Sequence, residues 1–119
     1  MKADHLQQGE AAEQQAVDYL SRRGLKLVTR NFRCKVGEID LILREKHTLV
    51  FVEVRYRQTD DYGSALESIT SSKQRKLLAA ANFYLQKYRI DQPCRFDVVA
   101  INGSGNSRTT WLKDAIQSH

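Results

Sequence analysis

Asp40 and Glu53 stand where a strand would be expected to carry no charge. Asp40 lies inside the apolar run Ile39–Leu43 and Glu53 inside Leu49–Val54, both within GEIDLILREKHTLVFVEVRYR at positions 37–57. A carboxylate among Val, Ile and Leu loses hydration and needs a strong partner. The polar REKHT segment between the runs supplies a turn, so the two runs read as a hairpin. Centring that turn between Lys46 and His47 sets Asp40 directly opposite Glu53, and Glu38 opposite Arg55. Side chains alternate with period two, so all four would share one face. Opposed carboxylates, with Cβ atoms roughly 5 Å apart, repel. Three outcomes relieve the repulsion: one group keeps a proton, basic side chains neutralise the pair, or both hold a divalent cation. Mg²⁺ is commonly bound by one or two carboxylates, with waters and substrate phosphates completing its shell.

Glu13 adds a third acid. It interrupts the stripe Leu6, Gly9, Glu13, Ala16, Val17, Leu20 of a helix expected over residues 5–22, and the stripe turns it toward the sheet. Three inward carboxylates on three elements favour a shared metal. Separate ion pairs with Arg55, Arg57 or Arg95 are the alternative.

Cations crowd the start of a second helix, expected over residues 72–88. Lys73, Arg75 and Lys76 fall in its first turn and a half, where the macrodipole disfavours positive charge. A bound phosphate would offset that cost; a solvated basic end would bear it. Arg22, Arg23, Arg30, Arg33, Arg57 and Arg89 extend the basic set, and Tyr56 and Tyr62 interleave with it. Such mixtures track a nucleic-acid backbone and stack on bases, although tyrosines near a strand end also serve as packing. His5, His47 and His119 stand alone, without ligand spacing, and no Ser/His/Asp arrangement is visible. NGSGN around Gly103 lacks the Lys of a phosphate loop and reads as a turn.

The elements that must position these groups follow from pattern. Gly24 suits the C-terminal end of the first helix. An extended piece, LKLVTRNFR, turns Leu25, Leu27 and Phe32 inward, and the hairpin follows it. The near-continuous apolar run Leu49–Val54 suits a central strand covered on both faces. After a polar loop over Gln58–Ile69, Ser71 and Gln74 have capping-box spacing. The second helix would bury Leu77, Leu78, Ala81, Tyr84, Leu85 and Tyr88. RFDVVAI at 95–101 is another strand, NGSGNSRTT a loop, and TWLKDAI a short strand or turn covering the edge, with Trp111 as its plug. The order helix, three strands, helix, strand is an α/β layer arrangement with a central mixed sheet flanked by helices.

The chain has 119 residues, which fits one compact domain over 1–119. Its 19 basic against 14 acidic residues give a net charge of +5. That balance suits a polyanionic partner, although many small soluble proteins are mildly basic. Cys34 and Cys94 lack metal spacing and read as two reduced, partly buried thiols of a cytosolic protein, with a single disulfide as the alternative. MKADHLQQGEAAEQQ carries no signal-peptide apolar segment, and no run approaches the ~20 apolar residues of a membrane span. The expectation is a soluble cytoplasmic protein with no membrane partner.

Several stretches together resemble the YraN family of small bacterial proteins: Gly9 with Glu13, Ala16, Tyr19 and Leu20; RNFR at 30–33; GEIDLI at 37–42; VFVEVR at 50–55; Lys73; RFDVV at 95–99; and Trp111. That family is similar to the Holliday-junction resolvases of the PD-(D/E)XK nuclease superfamily. The resemblance spans nearly the whole chain and implies a restriction-endonuclease-like core. It implies that Asp40, Glu53 and the Val54 carbonyl ligate Mg²⁺ or Mn²⁺, that Glu13 completes the site, and that Lys73 is the basic residue opening the second helix. Lys73, Arg75, Lys76 and Arg57 would contact nucleic acid. Arg55 departs from the superfamily pattern, which has Lys there. Arg stays protonated and cannot act as a base, but it can stabilise charge developing on a phosphate. The function implied is Mg²⁺-dependent hydrolysis of DNA phosphodiesters, on branched DNA in the resolvase case. A weak or inactive nucleic-acid-binding module of the same fold is the alternative. Resolvases act as dimers, which leaves a homodimer open.

Overall fold

The computed structural model describes residues 2–57, 69–103 and 108–116, with side chains from Gly9 onward. Helix α1 (Lys2–Ser21) is followed by strands β1 (Lys26–Cys34), β2 (Gly37–Glu45) and β3 (Thr48–Arg57), helix α2 (Ser71–Lys87), and strands β4 (Cys94–Asn102) and β5 (Arg108–Ile116). The strands form one mixed sheet of five in the order β1-β2-β3-β4-β5. Only the β3–β4 pair is parallel. The architecture is α/β, a mixed sheet flanked by helices, as its sequence pattern requires. The last segment is a full nine-residue strand rather than a short edge piece. Tyr62, His119, most of the Gln58–Ile69 loop and residues 104–107 lie outside the described residues, as do the side chains of His5 and Leu6.

Each helix covers one face. Ala12, Ala16, Val17 and Leu20 of α1 pack with Leu41, Leu43, Val50, Val52, Val99 and Ile101. Leu77, Ala80, Ala81 and Tyr84 of α2 pack with Ile39, Ile42, Leu49, Phe51, Phe96 and Val98. β3 contributes alternate residues to both clusters, which explains its unbroken apolar run. Tyr88 lies just past the end of α2 and is exposed, contrary to the helical pattern that turned it inward. Ala80, not Tyr88, completes the buried stripe.

Helix ends follow side-chain chemistry. Gly24, with φ of 95°, adopts the left-handed conformation past the end of α1, and the Leu25 amide reaches back to the Leu20 carbonyl at 3.1 Å. The cap of α2 is Thr70, one residue before the expected Ser71. Its hydroxyl accepts from the Lys73 amide at 3.1 Å, while Gln74 Nε2 donates to the Ile69 carbonyl. This shift sets Lys73 on the first turn facing the sheet. Gly37 opens β2 beside α2, where a Cβ would lie 2.7 Å from the Lys76 carbonyl oxygen; only glycine lets the hairpin approach so closely.

Candidate active site

The β2–β3 register matches the sequence reading. Leu41 faces Val52 and Glu45 faces Thr48, so the turn is centred between Lys46 and His47. At the next step past Leu41 and Val52 the regular ladder ends, and Asp40 replaces it. Its Oδ2 accepts the Val54 amide at 2.9 Å, so a side chain satisfies a backbone donor that the strand no longer reaches.

The neighbouring strand is irregular at the same level. β1 pairs Arg30 with Leu41 and Phe32 with Ile39 in one register, without a ladder pair between Asn31 and Asp40, and its register shift lies further back, between Leu27 and Thr29. Asn31 has φ of 50°, a conformation that Asn tolerates better than most residues. The alternation of β2 slips at the same place: Ile39 joins the α2 cluster, while Leu41 joins the α1 cluster. In an unbroken strand residues 39 and 41 would share a face. The expected single face for Glu38, Asp40, Glu53 and Arg55 therefore does not form. Glu38 pairs instead with Arg33 on β1, at 3.3 Å between highly exposed side chains, because β2 is in register with β1 there.

The three acids do meet. Glu13, Asp40 and Glu53 line one cavity of about 180 Å³, together with Val54, Arg55 and Lys73. Glu53 is only 4% exposed. Its Oε1 lies 3.2 Å from Lys73 Nζ and 3.7 Å from Arg55 Nε. The Arg55 contact is too long for a hydrogen bond, and Arg55 Nε is buried with no hydrogen-bond partner. Glu13 accepts from Asn31 Nδ2 at 3.3 Å, tying α1 to the β1 residue beside Asp40.

Burial raises all three carboxyl groups. Glu53 is pushed up to about 7, first by burial and then by the Asp40 charge, against the pull of Lys73 and Arg55. Asp40 is raised by burial, although the Val54 amide and Lys73 oppose the shift. Glu13 is raised by burial and by Asp40. Burial more than mutual repulsion holds these groups up, and a divalent cation in such a partly dry cavity would favour their charged forms. Among the described residues no three His, Cys, Asp or Glu side chains are gathered closely enough to cage a metal by themselves. Two carboxylates and a carbonyl, with waters and phosphate oxygens, are the donor set that suits Mg²⁺.

The other expected nucleic-acid contacts divide. Lys76 lines a neighbouring groove with Lys73. Arg75 is exposed on α2 away from both. Arg57 is half-buried at the end of β3, where its carbonyl accepts the Gly103 amide at 2.8 Å.

Sequence reasoning assigned no role to Asp97, which is fully buried on β4. It accepts from Arg95 Nε, from Trp111 Nε1 at 2.9 Å and from the Asp114 amide at 2.9 Å. Arg95 also binds Glu45 at 2.7 Å, so it is not a partner of the cavity acids. Asp114 has φ of 53°, and the β4–β5 register shifts between Phe96 and Val98. The carboxylate thus satisfies the donor freed by a bulge, a structural duty. An acid in an apolar strand, RFDVV, was the available signal. Cys34 and Cys94 are both free; Cys94 is exposed rather than partly buried. Among the described residues no helix is long and apolar enough to cross a membrane.

Comparison with known proteins places these residues in a recurrent sequence. The model of the uncharacterised protein family UPF0102 matches residues 12–101, a span that holds Glu13, Asp40, Glu53 and Lys73. A UPF0102 protein of Nitrosococcus oceani is 49% identical over 118 residues, 97% of this chain and 95% of its own length. One from Hahella chejuensis is 52% identical over 108 residues, covering 90% and 87% of the two chains. One from Janthinobacterium is 50% identical over 110 residues, covering 92% and 87%.

Proposed function

The chain belongs to the UPF0102 family, the YraN group that its motifs resemble, and from its carboxylate cavity we propose a divalent-metal-dependent nuclease of PD-(D/E)XK type acting on DNA. The observation that carries this reading is the meeting of Glu13, Asp40 and Glu53 with Arg55 and Lys73 around one small cavity. An acid cluster built only for stability would be neutralised by its partners. Here three acids share the cavity walls with two cations, Arg55 and Lys73.

Asp40, Glu53 and the Val54 carbonyl would hold Mg²⁺ or Mn²⁺. When bound, the ion would polarise a phosphate oxygen and lower the pKa of the attacking water. Val54 is already fixed by its amide's bond to Asp40, so one strand residue links both acids. Arg55 lines the cavity, its buried Nε 3.7 Å from Glu53 Oε1 and without a hydrogen bond. A phosphate oxygen would satisfy it, and its permanent charge would stabilise the transition state without serving as base. Lys73 holds Glu53 in the absence of substrate and would turn to phosphate when a cation takes over that carboxylate. Glu13 orients groups next to Asp40 through Asn31. Lys76 supports the backbone, with Arg75 and Arg57 as outlying contacts. A cytoplasmic setting suits two free thiols, and paired cutting of branched DNA would require a homodimer.

Arg55 in place of Lys favours a second reading, a DNA-binding module that does not cut. Incubation of labelled duplex, single-stranded and four-way-junction DNA with Mg²⁺ or Mn²⁺ separates the two. Metal-dependent cleavage that vanishes in Asp40→Asn and Glu53→Gln supports the nuclease. Binding without cleavage under either metal supports the module, and cleavage unchanged in both variants removes this site from the chemistry.

A further inference from the structure

A second concavity adjoins the acid cavity and shares Lys73 with it. It has a volume of about 620 Å³ and runs between the β1–β2 turn and the first turns of α2. Arg33 and Lys35 stand on the turn side, Lys73 and Lys76 on the helix side. Among the described residues Glu38 is the only acid on its walls, and its pairing with Arg33 is between side chains 56% and 76% exposed, too solvated to hold either firmly. Val36 and Leu77 add apolar surface, and Val36 is 46% exposed. Its base is narrow, since Gly37 touches the α2 backbone at Lys76.

We infer that this groove seats one unpaired strand of DNA, its phosphates between Arg33 and Lys35 on one side and Lys73 and Lys76 on the other. This rests on the nuclease reading for its purpose, because Lys73 is where the groove meets the acid cavity. Charge selects the occupant. Among the described residues four cations against one acid, on two facing walls, fit a backbone with a negative charge at every residue. Size selects the form. A volume in the range of small-ligand pockets admits a few nucleotides, whereas a duplex is too broad to enter. Val36, exposed on the turn wall, offers a base an apolar face. The substrate class that follows is DNA with an unpaired segment next to the bond cut, rather than continuous duplex.

The test is fluorescence anisotropy of the full chain with a labelled oligothymidylate and with a blunt duplex, in EDTA and across a salt series. Wild-type protein should bind the single strand more tightly. Lys35→Glu and Lys76→Glu, both at exposed positions, should each weaken single-strand binding by roughly tenfold and reduce the salt slope by about 0.7 per lost contact. Lys26→Glu, exposed at the start of β1 away from the groove, should bind as wild type. Equal affinity for duplex, wild-type binding in both groove variants, or an equal loss in Lys26→Glu would overturn the assignment. Because EDTA excludes metal, a protein that binds this way yet never cuts sinks the nuclease and leaves the groove. One that cuts while both groove variants bind normally does the reverse.

Discussion

Lys73 Nζ lies 3.2 Å from Oε1 of Glu53, a side chain only 5% exposed, while Lys73 itself is 40% exposed. One partner is therefore dry and the other wet. Breaking a fully buried pair costs about 3–5 kcal/mol, and solvent at Lys73 lowers that figure. Lys73→Met should destabilise the metal-free protein by about 1–2 kcal/mol at pH 8, measured by urea unfolding. At pH 5.5, where Glu53 holds its proton, the cost should shrink. An equal loss at both pH values would mean that Lys73 contributes packing rather than charge.

Glu53 takes up its proton near pH 7 in the folded protein, against an ordinary value of 4.5. Between those values the folded state binds the extra proton, so stability rises as pH falls from 8 toward 5. Asp40 and Glu13 shift in the same direction. The gain from Glu53 is about 3 kcal/mol at most. Glu53→Gln should flatten the rise, and saturating Mn²⁺ at pH 8 should stabilise the wild type. Thermal melts that show no acid-side gain would contradict the assigned environment.

Asp40 accepts the Val54 amide through one oxygen, and an asparagine can keep that bond while removing a buried charge. Asp40→Asn should leave stability within about 1 kcal/mol of wild type yet abolish Mn²⁺ binding by calorimetry. A loss above about 2 kcal/mol with Mn²⁺ binding intact would make Asp40 a structural acid.

Asp97 is the contrasting case. Asp97→Ala would strand Arg95, the Trp111 indole N–H and the Asp114 amide. It should cost about 3–5 kcal/mol in denaturant, with Mn²⁺ affinity of the folded fraction unchanged. A mild loss would show that water replaces the carboxylate.

Much of this was legible in the chain. The lengths of the two apolar runs and the polar turn between them fix the β2–β3 register, and the helical stripe places Glu13 toward the sheet. What escaped was non-local or sterically subtle. Nothing in the run Ile39–Leu43 announces that its alternation breaks at Asp40, or that Asn31 beside it takes a positive φ, so the separation of Glu38 from Arg55 was invisible. Thr70 and Ser71 are equivalent as caps until the chain's entry into α2 is known. Asp97 gained its meaning only from a bulge in β5, a strand fourteen or more residues further along.

The phase slip at Asp40 hands β2 from one apolar compartment to the other, so the acids lie on the seam where the two halves of the interior abut. Along such a boundary neither packing is complete, and charge can be lodged there with the least sacrifice of hydrocarbon contact. It also means that loosening either compartment, by a change as remote as Leu20 or Tyr84, will be transmitted to the spacing of the acids.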